Sequence, residues 1–252
     1  MDDEKHSSSS HAYDIVPLST NKSKIKVTPA MTDHVIPKHP FSCVISGRSG
    51  SGKTQLLLNL LTRPEFYKNY FDLMFVFSNT AQEGADDLYD HLNVPDAHMF
   101  KPNKDGLAQL KHIIKTSKKH IKKDGIHRSP KILVIFDDVA NERKFLASDE
   151  YLKLHIMNRH YNISTFSLTQ SYMKIPRSCR MQISALMYFK GKQTESERIS
   201  DEHCPNGYKA KEFLKVIDHA THKPYEFMYI NYKAPNKEQY RRCLHTIMEL
   251  KK

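Results

Sequence analysis

Eight consecutive residues, Gly47-Arg48-Ser49-Gly50-Ser51-Gly52-Lys53-Thr54, fit the pattern G-x-x-x-x-G-K-[ST] at every required position. The chemistry this run supports is the gripping of a polyphosphate. Glycines let the backbone curl so that successive N–H groups point inward at phosphate oxygens. A helix beginning where the run ends adds its positive N-terminal end. Lys53 then reaches the β- and γ-phosphates, and the Thr54 hydroxyl ligates Mg²⁺. All eight residues are therefore candidate binders of a nucleoside triphosphate. ATP and Mg²⁺ are the expected ligands.

A second run, Lys131-Ile132-Leu133-Val134-Ile135-Phe136-Asp137-Asp138, ends five apolar residues in two adjacent carboxylates. A strand end beside the phosphate loop lets Asp137 hold Mg²⁺ through water and lets Asp138 polarise an attacking water. A third, Thr165-Phe166-Ser167-Leu168-Thr169-Gln170, is a short strand with a polar tip. Paired acids on the second strand suggest the hydrolase branch of P-loop proteins. In that branch an extra strand lies between the phosphate-loop strand and the Asp-Asp strand. Gln170 would then face the γ-phosphate and position the water. The missing component is a cation aimed at the γ-phosphate from outside. Arg159, Arg177 and Arg180 lie near these elements, with Arg159 and Arg180 the candidates for an arginine supplied to a neighbouring subunit.

These residues need a scaffold, and the hydropathy pattern supplies one. Apolar runs bounded by turn residues fall at Phe41–Ile45, Leu73–Phe77, Ile132–Phe136, Ile163–Leu168 and Ala185–Phe189. Short β-rich runs without alternation suit strands buried on both faces. Helical patterns lie between them at Lys53–Leu61, Ala85–Leu92, Leu107–Lys123 and Tyr151–Arg159. This repetition predicts an α/β fold, a mostly parallel sheet with helices on both faces. Residues 1–38 read as a flexible tail with one edge strand at Ile25–Val27, 39–191 as the core, and 192–252 as a C-terminal extension of the same domain. That extension regains a strand at Phe227–Tyr232 and is expected to end in a basic helix, Lys237–Lys252.

The whole chain of 252 residues carries 39 Lys+Arg against 28 Asp+Glu, a net charge of +11. Such an excess favours an anionic partner such as nucleic acid. It is densest between Lys111 and Lys131, where eight basic residues (Lys111, Lys115, Lys118, Lys119, Lys122, Lys123, Arg128, Lys131) meet one acid, Asp124. The stripe Leu107, Leu110, Ile113, Ile114, Ser117 and Ile121 turns this helix's apolar face inward, so the lysines project outward to phosphate or to solvent. The cysteines, Cys43, Cys179, Cys204 and Cys243, include no C-x-x-C pair, which argues against a zinc ribbon, and His203-Cys204 has no second ligand pair. A reducing compartment is expected. The polar N-terminus shows no secretory signal, and the longest apolar stretches are too short to span a bilayer, so integral membrane association is not expected.

From Phe41 to about Gly191 the chain resembles the genome-packaging ATPases of large double-stranded DNA viruses and virophages, the poxvirus-type branch of the FtsK–HerA superfamily. The resemblance rests on the phosphate loop and Ile132–Asp138. It rests more specifically on the stretch from Arg159-His160 through Ile163-Ser164 to Gln170-Ser171-Tyr172, Ile175-Pro176 and Arg180. It implies a P-loop NTPase of the RecA/ASCE type that hydrolyses ATP to translocate double-stranded DNA into a preformed capsid. It implies a homo-oligomeric ring, capsid or portal-vertex partners, and a place at assembly sites in the host cytoplasm or in the virion. Lys53, Thr54, Asp137, Asp138 and Gln170 carry across position by position; many members have Glu where Asp138 stands. Two rivals are a P-loop nucleoside or nucleotide kinase, which needs an acceptor site and an Arg-rich lid, and a nucleotide-regulated DNA-binding adaptor with negligible turnover. A GTPase lacks support because no base-reading [NT]-K-x-D run exists, and an ABC-type ATPase because no L-S-G-G-Q run exists.

Overall fold

The computed structural model describes residues 35–79, 89 and 91–250. The expected edge strand at 25–27, most of the helix at 85–92 and the last two residues of the chain lie outside the described residues.

All five buried apolar runs form strands. They are β1 (Ser42–Ser46), β2 (Leu73–Ser78), β4 (Ile132–Asp137), β5 (Ile163–Thr169) and β6 (Ala185–Phe189). A two-residue strand, β3 (Met99–Phe100), pairs with β2 at the edge. The helices are α1 (Lys53–Thr62), α2 (Lys104–Asp124), a single turn α3 (Arg143–Leu146), α4 (Asp149–Tyr161), a single turn α5 (Arg177–Arg180), α6 (Gln193–His203) and α7 (Ala210–Ala220). Three further strands, β7 (Phe227–Asn231), β8 (Tyr240–Arg242) and β9 (Thr246–Ile247), complete one nine-stranded sheet in the order β3-β2-β4-β5-β1-β6-β7-β8-β9. Strands β3 through β6 in that order run parallel; β7, β8 and β9 add antiparallel pairs.

Both faces of the sheet are covered, which is why the strands read as unbroken apolar runs. Along β4, Leu133 and Ile135 face one core with Leu56, Leu57 and Leu60 of α1. Their neighbours Ile132, Val134 and Phe136 face the other core, with Leu110 and Ile113 of α2 and Leu154 of α4. Local signals set the helix ends. The Asn103 side chain accepts the Gly106 N–H at the start of α2, and Ser148 accepts the Tyr151 N–H at the start of α4. Gly106 itself is demanded by crowding, since a Cβ there would stand 2.0 Å from the Lys101 carbonyl oxygen.

Two sequence expectations change. The chain joins the core before residue 39: Val35 and Ile36 are buried, and Lys233 Nζ donates to the Lys38 and Pro40 carbonyls. The expected terminal helix at 237–252 is a short 3-10 turn at Asn236–Glu238 followed by the hairpin of β8 and β9. The open antiparallel edge of β7 offers unpaired backbone groups, and pairing with it outweighs helix propensity. Tyr240, Arg241 and Leu244 are buried there, and Cys243, at φ 52°, turns the chain.

Candidate active site

The parallel register decides which side chains meet. Ser46 of β1 lies beside Thr169 of β5, and Asp137 of β4 beside Leu168. Strand β5 therefore separates the phosphate-loop strand from the acidic strand, as the paired acids suggested. The Gly47 N–H donates to the Thr169 carbonyl at 3.1 Å and the Asp138 N–H to the Leu168 carbonyl at 3.2 Å. Phosphate loop, carboxylates and Gln170 thus emerge together at the carboxyl edge of the sheet.

The loop has the backbone its glycines permit. Gly50 and Gly52 have φ of 72° and 98°, a region costly for other residues. Gly47 is needed for space: a Cβ there would lie 2.6 Å from Phe189 Cβ. Lys53 Nζ folds back on the loop, donating to the Gly47 and Arg48 carbonyls at 2.8 Å each. Burial pulls its ammonium below the usual lysine range, and the carboxylates of Asp137 and Asp138 oppose that shift. The same three charges therefore share one electrostatic environment. The buried hydroxyls of Ser46 and Ser51 make no hydrogen bond in this structure. An orphaned hydroxyl inside a glycine cradle is what a bound polyphosphate would satisfy.

The two carboxylates differ. Asp137 is half-buried and accepts a hydrogen bond from Tyr89 Oη at 2.7 Å. Asp138 is exposed, sits in a left-handed conformation at φ 47° and ψ 35°, and accepts from Gln170 Nε2 at 3.1 Å. A non-glycine residue held there stores strain of order 1–3 kcal/mol, and such strain clusters at functional sites. Thr54 is exposed at the start of α1. Arg48 turns away and donates to the Gly191 carbonyl at 2.8 Å. Beside that contact the buried Glu195 accepts from Ser171 Oγ at 2.6 Å, so a polar belt runs beneath the site from the Gln170 loop toward Arg48. The sequence reading missed Tyr89 and Glu195. Tyr89 had a signal, its place in the helical pattern at 85–92, but there it reads only as core.

The arginine candidates separate. Arg180 is buried in a closed cluster: it meets Glu202 at 2.9 Å and 2.6 Å, and donates to the Met173 and Ile175 carbonyls. Tyr172 Oη donates to Glu202 and accepts from His203, whose other ring nitrogen meets Tyr232 Oη at 2.6 Å. Burial disfavours the Glu202 carboxylate, yet hydrogen bonds from Arg180 and Tyr172 hold it below the usual carboxylate range. Arg180 is therefore committed within its own chain, and the expectation that it reaches a neighbour is corrected. Arg159 is exposed in the last turn of α4, next to the start of β5 and so at the sheet edge opposite the phosphate loop. It lines a cavity of about 410 Å³ with Gln182, Tyr232 and Lys233. Arg177 is exposed in α5.

Helix α2 carries its buried stripe at Leu110, Ile113, Ile114 and Ser117, leaving Lys111, Lys115, Lys119, Lys122 and Lys123 exposed. Lys118 lies over the Tyr161 ring at 4.8 Å. Among the described residues no group of three or more His, Cys, Asp or Glu converges as a metal-holding set, and no helix is long and apolar enough to cross a membrane.

Residues 31–250 match the model of the family described as "Poxvirus A32 protein". The chain is 28% identical over 187 residues to the DNA packaging protein OPG160 of variola virus and of vaccinia virus (strain Western Reserve), covering 72% of this chain and 64% of each relative. It thus spans less than two thirds of those relatives' length. Among solved structures it is similar to B204, the DNA-packaging ATPase from Sulfolobus Turreted Icosahedral Virus, with a TM-score of 0.57 at 16% identity over 82% of this chain and 98% of that one. It is also similar to the genome packaging NTPase B204 from Sulfolobus turreted icosahedral virus 2 in complex with ATP-gammaS, with a TM-score of 0.54 at 18% identity over 83% and 98%. The fold is that of the P-loop packaging NTPases.

Proposed function

The chain belongs to the poxvirus A32 protein family, and from that membership we propose that it is an ATP-hydrolysing motor that moves double-stranded DNA into a viral capsid. One observation carries the hydrolytic part: phosphate loop, paired carboxylates and Gln170 converge at one sheet edge, with Gln170 bonded to Asp138. The packaging role is supported by the relatives named as DNA packaging proteins.

ATP binds at residues 47–54. The orphaned Ser46 and Ser51 hydroxyls, the glycine backbone and the Lys53 ammonium fit a polyphosphate. Thr54 and Asp137 are the residues that would hold Mg²⁺, which would supply neutralisation of phosphate charge when bound. The Tyr89 hydrogen bond orients the Asp137 carboxylate. Lys53 leaves the loop carbonyls to clamp the β- and γ-phosphates. Asp138 accepts a proton from the attacking water, and Gln170 orients both. Little covalent chemistry falls to the protein, so positioning and charge stabilisation do the catalysis.

Subunits form a ring. Arg159, exposed at the sheet edge far from its own phosphate loop, supplies the outside cation to the neighbour's γ-phosphate. The exposed lysines of α2 contact DNA phosphates. Capsid or portal-vertex proteins are the docking partners, and virus assembly sites in the host cytoplasm are the place of action.

The test is phosphate release from ATP with and without duplex DNA, across protein concentrations. A motor turns over faster on duplex DNA and with rising concentration. Turnover unmoved by DNA would favour an adaptor, and transfer of phosphate to added nucleosides a kinase. Mixing Arg159→Ala with a Lys53→Ala, Asp138→Asn double variant that keeps Arg159 should restore turnover if the arginine acts across subunits.

A further inference from the structure

The turn between α7 and β7 contains Lys223-Pro224-Tyr225-Glu226. The Glu226 N–H donates to the Lys223 carbonyl at 3.2 Å, and Tyr225 has φ of 65°. Proline at the second position and positive φ at the third is the pattern of a type II turn, whose third position belongs to glycine. A tyrosine there strains the backbone. The ring gains little burial in return, being 72% exposed. The turn is also pinned. The Lys223 N–H donates to Glu226 Oε2 at 3.3 Å, and Arg242 Nε approaches Glu226 Oε1 at 4.0 Å.

This ring stands over the phosphate loop. A Cβ built on Gly52 would lie 3.3 Å from Tyr225 Cδ1 and 3.8 Å from Phe189 Cε1. Its side of the loop matters. In the sheet, β5 and β4 flank β1 on one side, with Gln170, Asp137 and Asp138 at their tips. Strands β6 and β7 flank it on the other. A nucleoside triphosphate gripped with its γ-phosphate toward the carboxylates sends its nucleoside end toward β6 and β7, where Tyr225 is.

We propose that Tyr225 is the stacking platform for the nucleobase. The proposal rests on reading residues 47–54 as the nucleotide site. Every base has a π-face, so stacking on an aromatic ring tolerates purine identity. Strain retained at an exposed turn position is then explained by a ring that must face a ligand.

The experiment is calorimetric titration of the full chain, in Mg²⁺, with AMPPNP, GMPPNP and inorganic tripolyphosphate. Tyr225→Ala should weaken both nucleotide analogues by roughly 5- to 150-fold, the equivalent of about 1–3 kcal/mol of base stacking. It should leave tripolyphosphate affinity within about twofold, since the phosphate contacts remain. Tyr225→Phe should bind like wild type. Tyr225→Gly should lose affinity as Tyr225→Ala does while melting above wild type, because glycine relieves the strained φ; a purely structural tyrosine would not give that combination. AMPPNP binding by Tyr225→Ala at wild-type strength, an equal loss of tripolyphosphate, or a Tyr225→Phe variant as weak as alanine would overturn the assignment. If wild type binds neither AMPPNP nor tripolyphosphate, the nucleotide-site reading fails first and takes this proposal with it.

Discussion

The carboxyl edge of the sheet and the cluster around Arg180 use the same kinds of side chain to opposite ends. At the edge, Lys53, Asp137, Asp138 and Gln170 are exposed or half-buried, two buried hydroxyls make no hydrogen bond, and Gly50, Gly52, Asp138 and Tyr225 all have positive φ. Around Arg180, an arginine, a glutamate, a histidine and two tyrosines close on one another. A consistent proton assignment exists for that cluster. Tyr232 donates to His203, His203 to Tyr172, and Tyr172 to Glu202, with Arg180 completing the carboxylate. Charges that satisfy each other hold a fold together. Charges gathered around a glycine loop at a solvent-facing edge leave room for a ligand's own charge.

The comparison breaks if the open edge can be altered without loss of chemistry. Lys53→Ala should cost at least about 10²–10³-fold in ATP turnover, as removing a preorganised charge does. Asp138→Asn should cost about 10²–10⁴-fold, the range for a general base, while AMPPNP binding persists. Phosphate-release assays and calorimetry check both, and wild-type turnover by Asp138→Asn would remove it as the base. Asp138→Asn should not lower the melting temperature, because that side chain is exposed.

The closed cluster should respond in the reverse manner. Arg180→Ala leaves Glu202 charged and buried, and should cost about 3–5 kcal/mol in denaturant unfolding. Replacing the pair together, Arg180→Met with Glu202→Leu, should recover most of that loss. A double variant as unstable as the single one would show that the cluster is more than a satisfied pair.

Acid sharpens the contrast further. Burial holds His39, His155 and His203 at pKa about 4, against 6.5 when exposed. The unfolded chain binds protons that the folded chain refuses, so stability falls as pH drops from about 6.5 to about 4. The slope is up to about 1.4 kcal/mol per pH unit for each histidine. Melting temperatures should be flat from pH 8 to 7 and then decline. A flat curve down to pH 5 would mean that these rings accept protons in the fold. The smallest effect belongs to α2. Changing Lys119, Lys122 and Lys123 to Glu should weaken duplex binding regardless of sequence. It should also flatten the log–log salt slope by roughly 0.9 per lost phosphate contact. An unchanged slope would leave that face merely solvated.

The parts of this molecule legible in the sequence are those where one local signal has one solution. The G-x-x-x-x-G-K-[ST] run, the unbroken apolar strands and the polar tip of β5 were of this kind. Even the placement of β5 between β1 and β4 was foreseeable from paired acids. What was illegible depends on partners far along the chain. Arg180 reads as a free cation until Glu202, 22 residues on, closes over it. The segment from 237 reads as a helix until the bare edge of β7 claims it. Tyr225 sits in a Pro-containing turn whose loop neighbour, Gly52, is far away in sequence, so nothing local marks it.

Strand β5 is laddered to β4 and to β1 over most of its seven residues. At its far end Asn162 is tied to His39 and to the Ser129 and Pro130 carbonyls, one turn from Arg159. A strand clamped on both flanks cannot slide by one residue without breaking two ladders and inverting its side chains. Mechanically it is a strut, roughly 20 Å long at about 3.3 Å per residue. A displacement imposed near Arg159 has no slack in which to dissipate before it arrives at Gln170.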